Sequence, residues 1–229
     1  MKQKVFVWDL PLRLFHWSLV ASLCGLWFTA EYSYEQIHIY LGYFVLVLLS
    51  FRVLWGFFGT HYSKFSALSF NPLVVFSYLK NMLQGKAEES LGHNPVGGLM
   101  AIAVVLVIGA QAATGLFTEG ELWSGPYYGT LDTDVSKFLN SLHHTLFDYI
   151  LVLVAIHITA IFYYLLKKKQ NLIMPMITGV KFRDTKQASD QDTGSRIVLA
   201  LVLVTCVVAV VYWLVIINPP PVEVDDFYF

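Results

Sequence analysis

The stretch "HHTLFDYILVLVAIH", residues 143–157, decides the architecture. Histidines frame an apolar, aromatic run that continues to residue 166, and such a run can cross a hydrocarbon core of roughly 30 Å, which takes about 20 helical residues. An ionisable side chain inside a span is expensive, so function is its default explanation. At about 1.5 Å of rise per residue, His157 lies roughly 20 Å deeper than the histidines that open the run.

Outward from this stretch the pattern repeats. Spans are predicted over approximately 14–30, 37–58, 96–117, 146–166 and 197–217. The composition agrees, since 56% of the 229 residues are hydrophobic, 16% aromatic and only 14% charged. The expectation is a single all-α integral membrane domain over 1–229: a transmembrane four-helix bundle plus a fifth C-terminal transmembrane helix. The first span follows lysines as a signal peptide would, but it is long and aromatic and no A-x-A site follows it, so it reads as retained.

With the N-terminus cytoplasmic, all Lys and Arg residues but Lys137 fall on the inner side, whereas Glu31, Glu35, Glu119, Glu121, Asp132, Asp134, Glu223, Asp225 and Asp226 are outside. The positive-inside rule therefore predicts a multi-pass protein with its N-terminus on the cytoplasmic side and its C-terminus on the outer side. The acidic outer face suits a basic soluble partner, although acids also collect there simply because they escape this selection. The net charge of −1 comes with no basic face outside the loops, so nucleic acid is not a partner. Asn71 and Pro72 open a predicted helix over 72–84 whose apolar residues suit the inner membrane surface. Residues 184–194 read as polar and mobile, and the tail "NPPPVEVDDFYF" as stiff, then acidic and aromatic.

Cys24 and Cys206 both lie within spans, which excludes a disulfide framework, a thiolate metal site and covalent haem attachment through C-x-x-C-H. The histidines, at 16, 38, 61, 93, 143, 144 and 157, carry the chemistry. Depth sorts them: His38 sits at the outer level with His143 or His144, and His16 at the inner level with His157. Two neutral imidazoles facing each other across a helix gap are what a six-coordinate haem iron needs. A zinc site would need four ligands at one depth. At about 100° per residue, His143 and His157 share a helix face about 40° apart, whereas His144 lies about 140° from His157. Phase thus favours His143 and leaves His144 as the alternative, or as a propionate neighbour. The plain reading of any of these is an interfacial anchor or an inter-helix hydrogen bond. It weighs most for His61 and His93, whose other reading is propionate or quinone-headgroup contact.

Haem propionates call for cations. Arg13 lies three residues before His16 on the same face. Arg52 lies 14 residues after His38, near the inner level, where it either meets a propionate or snorkels to the surface. Gly25, Gly42, Gly109 and Gly115 offer room for a porphyrin or for close helix contact, with Gly42 best placed for the former. Asp9 is a candidate cap for the first helix.

Residues 7–17 "VWDLPLRLFHW", 37–66 "IHIYLGYFVLVLLSFRVLWGFFGTHYSKFS", 92–98 "GHNPVGG", then "LHH", "AIH" and 171–181 "NLIMPMITGVK" together resemble the bacterial cytochrome b561 family. That family includes the b-type cytochrome subunits of nickel–iron hydrogenases. The resemblance covers residues 5 to about 183. It implies two non-covalent b-type haems ligated by His16, His38, His143 and His157. It also implies electron transfer between a membrane quinone pool and a periplasmic c-type cytochrome or a hydrogenase, and leaves a homodimer open. The other readings are a self-contained oxidoreductase acting on superoxide or a ferric chelate, and a haem-free proton or ion carrier.

Overall fold

The computed structural model describes residues 2–87, 89–184 and 196–220. Most of the segment predicted to be mobile and most of the C-terminal tail lie outside the described residues. A short strand β1 (Lys2–Phe6) leads into helices α1 (Leu10–Glu31), α2 (Glu35–Phe58), α3 (Pro72–Leu83), α4 (Pro95–Gly115), α5 (Thr133–Leu166) and α6 (Ile173–Thr178). Strand β2 (Val180–Asp184) and helix α7 (Ile197–Tyr212) follow, and α7 ends in a π-helical turn, Trp213–Ile217.

Local chemistry sets the helix starts. Asp9 accepts a hydrogen bond from Leu12 N at 2.7 Å, with Pro11 in the first turn. Asn71 and Asn94 cap α3 and α4 in the same way, accepting from Leu73 N at 2.9 Å and Gly97 N at 2.7 Å, and each is followed by proline. A side-chain acceptor answers one of the four amides a helix start leaves unpaired, and proline has none to leave.

Helices α2, α4, α5 and α7 with its π turn are long and apolar enough to cross a membrane. Helix α1 has the length but is diluted by His16, two tryptophans and several hydroxyl residues. The buried core is the seam of α1 and α2, where Leu12, Phe15 and Leu19 meet Val45, Leu49, Phe51 and Trp55, extended by Ile108, Ile150 and Ala200. Outside that core large apolar side chains face outwards, for example Leu106, Val152, Val198 and Leu201. Apolar residues on both faces are expected of helices whose surroundings are hydrocarbon. Helix α7 packs on α2 and more lightly on α1, α4 joins α2 to α5, and α3 lies against α4.

The structure departs from the sequence reading in two places. The sequence predicts the fourth span over 146–166, after an outer connection running from 118 to 142. Helix α5 instead begins at Thr133, capped by Asp132, and at 34 residues is about 51 Å long, well beyond a roughly 30 Å hydrocarbon core. Hydropathy marks the part of a helix that sits in lipid, not the part that projects from it. The second departure is a small sheet, with β1 antiparallel to β2 and Lys2 to Phe6 paired with Asp184 to Val180. It ties the N-terminus to the segment after α5 and is reinforced by Val7 N and Trp8 N donating to Gly179 O at 2.8 and 3.2 Å.

Candidate functional site

The end of the bundle where α1 begins, α2 ends and α5 ends carries most of the lysines and arginines and is called here the basic end; the other is the acidic end. Helix α1 places His16 in its second turn, at the basic end, and the antiparallel α2 places His38 in its first turn, at the acidic end. Helix α5 supplies His143 and His157. It packs along α4 and makes no extended backbone contact with α1 or α2. Histidine side chains reach across the space left between them.

Two pairs result. The ring centres of His16 and His157 are 6.5 Å apart and those of His38 and His143 are 6.4 Å apart. An imidazole nitrogen about 2.0–2.1 Å from a metal, and about 1.1 Å from its own ring centre, puts two rings that share one metal about 6.3 Å apart. Both pairs therefore have the spacing of rings sharing a single iron. A Cβ added at Gly42 on α2 or Gly109 on α4 would meet no protein atom within 4 Å, so both positions border open space. Among the described residues no cluster of three or more His, Cys, Asp and Glu could hold a metal ion by itself. The donor set suits a metal that brings its own equatorial ligands.

His144, the alternative at the acidic end, is exposed, with its ring edge-on to His143 at 6.1 Å. A Cβ on Gly115 would lie 2.9 Å from His143 Cε1, so the absence of a side chain there is what lets the ring approach α4. Gly25 is instead a helix-contact glycine, its Cβ position 3.0 Å from Leu41 Cδ1.

The ring nitrogens of the acidic-end pair are held in place. His38 Nδ1 donates to Leu26 O at 3.1 Å and lies 3.2 Å from Thr29 Oγ1; His143 Nδ1 donates to Gln111 O at 3.0 Å and lies 3.2 Å from Thr114 Oγ1. Both Nδ1 atoms are thus protonated donors, and each Nε2 is left with its lone pair. At His143 the Gln111 amide donates to that Nε2 at 3.2 Å, while Gln111 Oε1 is buried without a partner. The amide would turn aside for a metal to bind there.

The basic end is differently equipped. His16 Nδ1, Arg13 Nε and His93 Nδ1 are buried without partners. Arg13 donates through Nη1 to Ile177 O, and Trp17 Nε1 donates to Met176 O at 3.1 Å, so α6 closes on the first turns of α1. Arg52 does not snorkel to open solvent: at 5% exposure it donates to Ser63 O at 3.2 Å and stacks on Phe65, 4.9 Å from the ring centre. His93 packs edge-on to Trp8 at 4.7 Å. Burial, then the charges of Arg52 and Lys181 and the nearby His157, push its imidazole down to about 4. An acidic residue answers these cations at this end: Asp9 accepts from Trp55 Nε1, Thr60 Oγ1 and Ser63 Oγ. His61 is exposed on a short 3₁₀ turn against Tyr62.

Sequence reasoning missed Thr29, Thr114, Gln111 and the extent of the Asp9 network. A hydroxyl residue in an otherwise apolar stretch of helix is the one signal that marks both threonines.

A helical membrane bundle whose helices face each other with paired imidazoles defines the class of non-covalent haem cytochromes. The chain belongs to the prokaryotic cytochrome b561 family, whose model matches residues 7–179. Its curated relatives include probable Ni/Fe-hydrogenase B-type cytochrome subunits. Those of Azotobacter vinelandii and Azotobacter chroococcum mcd 1 are 25% and 26% identical over 220 residues, covering 80% of this chain and 90% of each relative. That of Rhizobium leguminosarum bv. viciae is 24% identical and covers 80% and 91%. No solved structure gives a significant match. The chain is a multi-pass membrane b-type cytochrome of electron transport.

Proposed function

We propose that this cytochrome binds two b haems, one between His16 and His157 and the other between His38 and His143, and carries electrons across a bacterial inner membrane. The observation that carries the reading is the pair of near-equal ring separations, 6.5 and 6.4 Å, set 14 residues or about 21 Å apart along α5. Each haem supplies a one-electron iron couple when bound. The chain's own residues fix the ligand rings and pair the anionic propionates. At the basic end Arg13 and Arg52 would make that pairing, and the unpartnered Arg13 Nε and His93 Nδ1 favour an anionic group there.

The charge asymmetry supports a cytoplasmic N-terminus and a periplasmic C-terminus, which puts the acidic end outside. Relatives named as hydrogenase cytochrome subunits support a hydrogenase-type partner at that face, with a periplasmic c-type cytochrome as the other candidate. An apolar recess of ≈ 530 Å³ between α1, α2 and α7, with Tyr40, Tyr43 and Tyr212 on its wall, supports exchange with a lipid-soluble quinone.

The test is the haem content of the purified chain, read from its b-type absorption spectrum and iron per polypeptide, in the wild type and in single His→Ala variants. Two haems are expected, with His16→Ala and His157→Ala losing the same one and His38→Ala and His143→Ala losing the other. A folded chain without haem, or one whose spectrum no histidine variant changes, overturns the proposal.

A further inference from the structure

We propose that Thr29 and Thr114 polarise the two acidic-end histidines and thereby make the haem they hold the lower-potential centre of the two. The inference rests on the two-haem reading above.

The same device occurs on two helices. Thr29 Oγ1 donates back along α1 to Gly25 O at 2.8 Å and lies 3.1 Å from Leu26 O; Thr114 Oγ1 lies 3.0 Å from Ala110 O and 2.9 Å from Gln111 O on α4. Back-bonding of this kind commonly does no more than satisfy a hydroxyl within an apolar helix. Here it commits the hydroxyl proton, so the oxygen facing the histidine can only accept. Each imidazole Nδ1–H is shared between that oxygen and the carbonyl three residues before the threonine, Leu26 O for His38 and Gln111 O for His143. Both threonines are buried, at 5% and 6% exposure, so water does not compete for the bond.

A ligating imidazole that donates its other N–H is more basic and a stronger donor to the metal, which favours the oxidised iron. Among the described residues neither ring at the basic end has such a bond, and His16 Nδ1 is buried without any partner. Fixed charge acts in the same direction. Arg13, Arg52 and Lys181 lie at the basic end, offset in part by Asp9, and leave an excess of positive charge that favours an added electron, while Glu31 and Glu35 flank the acidic end. An electron placed on the acidic-end centre would then run downhill towards the basic end.

The test uses the haem-loaded protein with Thr29→Val, Thr114→Val and both together, and Thr→Ser controls that keep the hydroxyl. Redox titration followed at the haem absorption band should show the lower midpoint rising in each valine variant, further in the double variant, with the higher midpoint unmoved. The low-spin EPR signal of the same centre should shift with it, and serine should restore both. The same valine changes in a His16→Ala background, where only the acidic-end haem remains, assign the moving midpoint. A double variant that keeps both haems with unchanged midpoints, equal movement of both, or movement of the higher one alone overturns the proposal. Where the double variant loses haem, the single valine and serine variants give the same reading. A wild-type chain with fewer than two haems overturns the two-haem reading itself, an outcome told apart by haem count before any titration.

Discussion

Replacing Asp9 by alanine tests how the start of α1 is held, and through it the position of Arg13 and His16. The carboxylate joins three pieces of chain: it caps α1 through Leu12 N, receives the Trp55 indole N–H at 3.1 Å from the last turn of α2, and receives the hydroxyls of Thr60 and Ser63 from the turns that follow. Loss of a cap costs about 0.5–2 kcal/mol. Trp55 is fully buried, and an indole N–H left there without an acceptor costs about 1–3 kcal/mol more. The two hydroxyls add little, because Thr60 Oγ1 and Ser63 Oγ are 3.2 Å apart and can pair with each other. The expected loss is therefore about 1.5–5 kcal/mol. Asp9→Asn should retain the cap and the acceptor oxygen and lose about half as much. Thermal unfolding in detergent reads the difference, and haem content should fall first in the centre held by His16. An Asp9→Ala protein that melts with the wild type and keeps its full haem complement would refute the network's role.

Gly115→Ala should displace the His143 ring, because its Cβ would lie 2.9 Å from Cε1; loss of the acidic-end haem with the basic-end spectrum intact is the expected result. Gly42→Ala meets no protein atom within 4 Å, so the chain should fold normally, and slower or weaker haem uptake would locate a porphyrin edge there. His144→Ala should leave both haems in place, and loss of either would move the ligand assignment. Glu35 accepts from the backbone amides of Glu121, Leu122 and Trp123 at 3.3, 2.9 and 2.9 Å, so Glu35→Ala should speed hydrogen exchange and proteolysis in the 118–132 loop without altering the basic end.

What the sequence made legible is whatever a membrane imposes residue by residue. Apolar blocks marked the long helices because hydrocarbon admits no irregular backbone. Counting depth along those blocks paired His16 with His157 and His38 with His143 or His144, since an α-helix turns length into depth at a fixed rate. Phase on α5 placed His143 on the bundle side, and the structure turns His144 outwards. The β1–β2 pairing was invisible, because "KQKVF" and "VKFRD" are five residues each, far apart in sequence, and a pair that short carries no periodic signal against its background. The first 13 residues of α5 were hidden for the opposite reason, being helical but too polar to register as part of a span.

Thr29 and Thr114 show a subtler limit. Each reads in sequence as one more small polar residue among many in the spans, and its meaning depends on a histidine 9 and 29 residues away, on a different helix. A ligand's own position follows from the helix that carries it, so depth and phase recover it. The groups that tune a ligand sit on whichever helix packs beside it, at an offset set by the packing angle and not by the chain. Two threonines that each use the same one-turn relationship to a carbonyl to hold a histidine become recognisable as a pair only once α1 faces α2 and α4 faces α5. The paired histidines of such a bundle are therefore more legible in sequence than the hydroxyls that hold their rings.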